Sequence, residues 1–490
     1  MLSPVLAGTA ALAAIGPLTK RIRWSLPLVA LAALALSTYF ALTTPPGAFH
    51  LVPGRAEVSS GLKVDPLTVY VSLLVLMVSA AVVLYSYPYA AGEVWAGRYY
   101  ILLLAFTAGA LGVALSDDLF TLYVFWELMV VSSYALIGIR GDAESSEASF
   151  KYMLLSTLSS LALLLSLAIV YGATGSLSFS SLRSAVKDMY LGGELGWRGV
   201  AVMVGLTVVG FAVCVALVPF HVFTPDAYTA PLPSVGALLS GAATKAGAYA
   251  LAWTLFRVFD PRVFDYGPAL IAVALLTMTV GNLTAVMQTD GRRLLSYSSI
   301  ANLGYIVLGL GVGAYALNRY GPAYAAPALA GSLLHFLNHA LGKGAAFMSL
   351  GNLEALVGSR GMSRLEGSGG VARASGAALS IAMLNLAGIP PLAGFWSKLL
   401  IAAGCLAVPG DPILTAALVV FVANCVLAAG YYLWFVQRVV LRAFRGEPRG
   451  PVPLLAEVTA LTLAAACLVV TLLLHPVLSF VYEAAACLAG

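Results

Sequence analysis

Charge is almost absent from long stretches of this chain. Between Ala374 and Pro409 the one charged residue is Lys398, which closes the stretch GIPPLAGFWSK behind two adjacent prolines. Charged residues make up 10% of the whole chain and hydrophobic ones 61%, whereas a soluble domain carries roughly 25% charged residues. A hydrocarbon core about 30 Å thick takes about 20 apolar residues to cross as a helix. Backbone groups in lipid must bond within their own segment. These constraints predict an all-α polytopic membrane protein, and the residue alternation of a transmembrane barrel is absent.

Fourteen apolar segments are expected, centred near Leu12, Ala33, Leu76, Thr107, Leu128, Leu163, Leu206, Lys245, Leu275, Leu308, Asn338, Pro390, Ala423 and Ala465. The first is short. It lacks a positive n-region, and Lys20, Arg21 and Arg23 follow it, so it reads as retained rather than as a signal peptide. Of the 26 lysines and arginines, three lie inside segments; 15 of the others fall after odd-numbered segments and 8 after even-numbered ones. The excess marks the cytoplasmic side. The expectation is a multi-pass protein of the cell membrane with both termini external. The net charge of +5 belongs to these connections and does not point to nucleic acid. The five cysteines form no CxxC pair, and no GxGxxG unit or P-loop is present. No cofactor or metal is therefore expected. Any redox chemistry would lie on another subunit.

Two stretches interrupt the spans. In LVPFHVFTPDAYTAPLPS, Leu217–Ser234, four prolines cannot all occupy one helix interior. The second is AGIPPLAGFWSK, Ala387–Lys398. On the count of fourteen these are spans seven and twelve. An odd offset of five inverts one copy relative to the other, the pattern of an inverted-repeat transporter. The expected division is helices one to three over 1–97, a first five-helix repeat over 98–256, a second over 257–442, and a last helix over 443–490.

Ionisable residues inside a bilayer cost about 3 kcal/mol each by insertion scales, so each is a functional candidate. Glu127 lies nine residues past Asp118, near mid-span. Lys245 sits among small residues in LSGAATKAGAYAL, where helices can approach closely. His335, His339 and Lys343 recur at i, i+4 and i+8 on one helix face. Two histidines at that spacing can bind zinc, but no glutamate follows the first and a lysine follows the second. A water-holding proton relay is the alternative to a metal or to plain packing. Lys398 projects into the second break, where freed carbonyls can hold water. Burial favours a neutral amine and a nearby carboxylate favours a charged one, so such a lysine can load and release a proton. Glu127 is expected to be that neighbour for Lys245. His221 and Asp226, at the first break, are expected near the surface as an inlet.

These segments together resemble the proton-translocating, antiporter-like membrane subunits of respiratory complex I, Mrp-type cation/proton antiporters and membrane-bound hydrogenases. The likeness runs from about Leu102 to Arg445. It rests on DLFTLYVFWELMVVSSYALIG, FKYMLLSTLSSLALLLSLAIVYGATGSL, VPFHVFTPDAYTAPLPSVGALLSGAATKAGAYAL, DGRRLLSYSSIANLGYIVLGLG, NHALGKGAAF and LAGIPPLAGFWSK, in that order. The resemblance implies fourteen helices, two inverted repeats and a row of charged residues along the membrane midplane. It matches Glu127 to the family's fifth-helix glutamate, Lys245 to its eighth-helix lysine and Lys398 to the lysine of the second broken helix. Cys214 stands where many members have a further lysine, so the first half-channel would lack one proton carrier. The function implied is proton or sodium translocation within a larger membrane complex, with other membrane subunits as partners and the lipid bilayer as solvent. A self-sufficient antiporter with the same residues, and a scaffold that has lost transport, are the alternatives.

Overall fold

Five aspartates mark where long helices begin. Asp65, Asp118, Asp142, Asp290 and Asp411 each accept hydrogen bonds from backbone N–H groups of the following first turn. They satisfy donors that a helix start leaves unpaired. The chain thus places acids at the ends of apolar helices, where they stabilise a helix without entering the hydrocarbon. The computed structural model describes residues 1–15, 25–50 and 61–490, apart from the side chains of Ile15 and His50. Lys20, Arg21 and Arg23 lie outside the described residues.

The amino-terminal part contains α1 (Leu2–Ile15), α2 (Ser25–Thr43), an antiparallel strand pair β1 (Gly47–His50) and β2 (Gly61–Val64), α3 (Pro66–Ala90) and α4 (Ala96–Leu115). Next come α5 (Leu119–Ile137), α6 (Ala143–Thr174), α7 (Phe179–Leu191), α8 (Trp197–Ala212), α9 (Thr224–Thr229), α10 (Pro233–Leu238) and α11 (Thr244–Val258), with a π-helical turn Leu239–Ala243 joining the last two. The second half has α12 (Gly267–Val286), α13 (Gly291–Arg319), α14 (Pro322–Val357), α15 (Met362–Leu365), α16 (Ser368–Val371), α17 (Arg373–Ala387), α18 (Ala393–Leu406) and α19 (Pro412–Val436). The chain finishes with α20 (Leu454–Leu472) and α21 (Leu474–Ala489).

Among the described residues nine helices are long and apolar enough to cross a membrane: α2 to α6, α12, α13, α19 with its π-helical extension, and α20. The protein is an all-α, multi-pass membrane protein. α1, α8, α18 and α21 are shorter apolar helices. α14 is longer than any of the nine, at 36 residues, but carries His335, His339 and Lys343. α13 is buried on every side along its spanning length, with Asn302 among its otherwise mostly apolar or small residues. α14 packs on α13, α17, α18, α20 and α21. These two helices are the axis around which the site is arranged.

Both proline-rich stretches break helices, by different means. α8 ends at Ala212, before the first proline, and Val213–Phe223 runs in turns. Ala216 has φ +52°, the one non-glycine residue in the left-handed region among the described residues; a side chain there costs about 1–2 kcal/mol. The second break is set by Gly388, whose φ of +84° closes α17 in the conformation glycine adopts without strain. Gly394 opens the next helix so close to α17 that a Cβ would meet the Asn385 carbonyl oxygen at 1.8 Å. The strand pair β1–β2, the short helices α15 and α16, and two longer helices were not foreseen. α7 is an amphipathic surface helix burying Phe179, Leu182 and Val186, and α21 is separate from α20.

Candidate functional site

Five of the ionisable residues singled out in the sequence, Lys245, His335, His339, Lys343 and Lys398, converge on α14 and its neighbours. Lys245, His335, His339 and Lys343 are fully buried, and Lys398 is 7% exposed. Lys245 reaches α14 from the start of α11. Its Nζ donates to the Ser240 carbonyl at 2.6 Å and to Thr244 Oγ1 at 3.1 Å, and is hydrogen-bonded to His339 Nδ1. The Ser240 carbonyl is available because the π-helical turn disrupts the ordinary ladder there.

One turn away, His335 faces the other half of the molecule. Its ring stacks with that of His339, centroids 6.3 Å apart. Nε2 lies 3.1 Å from Asn302 Oδ1 and Nδ1 lies 2.9 Å from Ser397 Oγ. Asn302 uses its amide to donate to Ser298 O and the Tyr432 hydroxyl, so its oxygen faces the imidazole. That fixes the proton of a neutral His335 on Nε2 and leaves Nδ1 as an acceptor beside the Ser397 hydroxyl, whose single proton is shared between that nitrogen and the Gly394 carbonyl at 3.1 Å. Lys343 points to α13, where Nζ donates to the Leu295 carbonyl at 2.7 Å and to Ser298 Oγ.

Lys398 follows Ser397 and fills the second break. Its Nζ donates to the carbonyls of Leu386 at 2.8 Å and Ala387 at 2.9 Å, the last two residues of α17. Gly388, Pro390 and Pro391 end the helix, so these oxygens have no partner further along it. Asn385 splints the gap: its Oδ1 accepts from the Gly394 N–H at 3.0 Å.

Glu127 does not join this row. Lys245 is partnered by His339, and Glu127 lies on a half-buried face of α5 with Oε1 unpartnered among the described residues. The expected Glu127–Lys245 contact is therefore corrected: periodicity places Glu127 at mid-span but does not say which helix it faces. Cys214 is buried, and its thiol donates to the Ala243 carbonyl at 3.4 Å. Asp226 lies at one end of the bundle, paired with Lys151 at 2.8 Å and Arg293 at 3.1 Å, beside a cavity of about 180 Å³. His221 is half-buried in the turns of the first break.

Known proteins resemble this chain in sequence and fold. The sequence pattern of the family described as "NADH:quinone oxidoreductase/Mrp antiporter, TM" matches residues 116–424, which hold every residue of the row. The chain belongs to that family. It is 32% identical over 421 residues to NADH-quinone oxidoreductase subunit N of Desulforudis audaxviator, covering 84% of this chain and 80% of the relative. It is 34% identical over 304 residues to a Na(+)/H(+) antiporter subunit of Alkalihalophilus pseudofirmus, covering 61% and 57%. Among solved structures it resembles a chain of the membrane-bound sulfane sulfur reductase, an archaeal respiratory membrane complex, with TM-score 0.86, 26% identity and coverage of 99% and 97%.

Sequence reading missed one feature of this antiporter-family chain. Arg292 and Glu354 form a buried ion pair, with Arg292 also donating to the carbonyls of Thr229 at 3.0 Å and Pro231 at 2.7 Å. The pair lines a cavity of about 350 Å³ with Tyr85, Tyr89, Ser234 and Arg360. Each residue sits near a helix end and reads as an ordinary interfacial charge. The two are 62 positions apart, and no local pattern links them.

Proposed function

We propose that the chain is a proton- or sodium-translocating, antiporter-like subunit of a larger respiratory-type membrane complex. One observation carries this reading: Lys245, His339, His335 and Lys398 form a single buried row from α11 through α14 to α18. A buried amine or imidazole is costly unless partnered, and each of these is hydrogen-bonded: Lys245 to His339, His335 to Asn302 and Ser397, and Lys398 to two backbone carbonyls. The Asp226–Lys151–Arg293 cluster and His221 serve as the inlet. Lys343, bonded to α13, adjusts the charge beside the row.

The finer architecture belongs to the same proposal: fourteen spans and two inverted five-helix repeats divided near residues 97, 256 and 442. The broken α8–α9 and α17–α18 segments support it. The aspartate-capped end that includes Asp142, Asp290 and the Arg360–Glu144 pair is the cytoplasmic one, and both termini are external.

Glu127 favours a complex over a self-sufficient exchanger. It shares one face of α5 with exposed Phe120, Val124 and Val131. A half-buried carboxylate at mid-span, with Oε1 unpartnered among the described residues, costs about 3 kcal/mol, which another membrane subunit would relieve. The test is translocation by the assembled complex in vesicles, comparing wild type with Lys245→Ala and Lys398→Ala. Undiminished translocation in both variants would end the proposal. Exchange by the purified single chain would favour the self-sufficient antiporter.

A further inference from the structure

Lys398 lacks what would ordinarily keep a buried ammonium charged. Among the described residues no carboxylate forms an ion pair with it, and its hydrogen-bond partners are two backbone carbonyls. The titratable groups turned toward it are Tyr305 on α13, His335 on α14 and Cys425 on α19. The single carboxylate of α20, Glu457, accepts a hydrogen bond from Ser375 instead. The Lys398 ammonium lies over the ring of Tyr305, 5.1 Å from its centre.

That ring is held on several sides. Tyr305 is fully buried. Its hydroxyl accepts from Asn282 Nδ2 at 3.0 Å and donates to the Asn424 carbonyl at 3.2 Å. Asn282 is itself fixed by Asn424 Oδ1 at 2.9 Å and by the Tyr431 hydroxyl at 3.1 Å. Phe421 meets the ring edge-on at 5.3 Å, and His335 lies across it at 5.8 Å. The same aromatic residue therefore touches the last imidazole of the row and the lysine after it.

We propose that Tyr305 is a positioning residue for Lys398, its ring face taking the place of a carboxylate as the counter-group of the ammonium. This rests on the reading of Lys398 as an ion carrier, and deepens it. A carboxylate would hold the charge in a tight pair. A ring quadrupole attracts a cation more weakly, by about 0.5 kcal/mol at exposed sites to about 2 kcal/mol when desolvated, or roughly 2- to 30-fold in proton affinity. It cannot accept the proton itself. Lys398 is thus stabilised while loaded without a partner that would take its proton or trap it. The Asn282–Asn424–Tyr431 network keeps the ring in place, which gives a role to a polar cluster that the row does not otherwise use.

The test is the pH profile of translocation by the assembled complex in vesicles. Tyr305→Phe keeps the ring and should leave the alkaline midpoint nearly unchanged. Tyr305→Leu should move it to lower pH by roughly one unit, a tenfold loss of proton affinity at Lys398. Because Leu can also disturb packing, the deciding series replaces Tyr305 with phenylalanines carrying one, two and three ring fluorines, which weaken the quadrupole at nearly constant shape. A midpoint that falls stepwise with fluorination supports the proposal. A flat series, with Lys398→Ala inactive, overturns the role of Tyr305 alone. An active Lys398→Ala overturns the reading beneath it and this role together.

Discussion

The two broken helices look alike in sequence and solve the same problem in opposite ways. At the first, the backbone repairs itself. The N–H groups of Val215, Ala216 and Leu217 return to the carbonyls of Phe211, Val213 and Ala212, and Val218 N–H finds Thr277 Oγ1 at 3.2 Å. Cys214 adds a weak thiol bond. Lys245 is not in the break but on the next helix, bonded to His339. At the second, two carbonyls are left open and a lysine occupies them. A broken helix is therefore not in itself an ion site. On the proposed function it becomes one where a charged side chain replaces the missing backbone donors, as Lys398 does.

The largest effect should come from emptying the second break. Lys398→Ala is expected to abolish translocation, and Lys398→Arg should do nearly the same because a guanidinium does not release its proton. The alanine variant should still assemble. It loses a desolvated charge as well as donors to two carbonyls, the latter worth about 1–3 kcal/mol if water does not replace them. Vesicle acidification and a thermal melt of the same preparation separate the two effects; a variant that melts normally and pumps normally contradicts the comparison.

Lys245→Ala should remove most translocation, since it deletes the point where the first half meets the row. His339→Ala should do likewise, leaving Lys245 with the Ser240 and Thr244 oxygens only. If His339→Ala pumps at the wild-type rate, the row does not pass through α14.

A smaller loss, several-fold, is expected for Glu127→Gln. Glu127 stands apart from the row, so its charge acts from a distance or through a neighbouring subunit. Comparing this variant in the assembled complex and in the isolated chain would sharpen the point, because a defect confined to the complex places the partner of Glu127 on another chain.

The smallest effect is expected from Cys214→Ala. The thiol has one weak hydrogen bond, and a thiol with a reference pKa of about 8.5 is mostly neutral at pH 7. Translocation should stay within a factor of about two. A dead Cys214→Ala would make the first break an ion site after all.

The span-forming segments, both breaks and all three buried lysines could be read from the sequence, because each depends on a local cost: charge in lipid, or proline in a helix. Pairings could not. His339 is 94 positions from Lys245, and Arg292 is 62 from Glu354; periodicity assigns each residue a face but never the helix opposite. The strained Ala216 and the π-helical turn beside Lys245 left no mark either, since alanine and serine there are compatible with an ordinary helix. The mid-span position of Glu127 suggests it as the neighbour of Lys245, whereas the local geometry supplies a histidine.

The bond between Lys245 and His339 has an arithmetic of its own. A hydrogen bond between two nitrogens needs one donor and one acceptor. An ammonium can donate to a neutral imidazole, or an imidazolium to a neutral amine, but two cations share no such bond and repel. A neutral amine and a neutral imidazole can also pair, so the junction holds at most one positive charge while it is closed. On the proposed route, a second proton must wait for the first to leave or must push the pair apart, so the Lys245–His339 contact would pass protons one at a time.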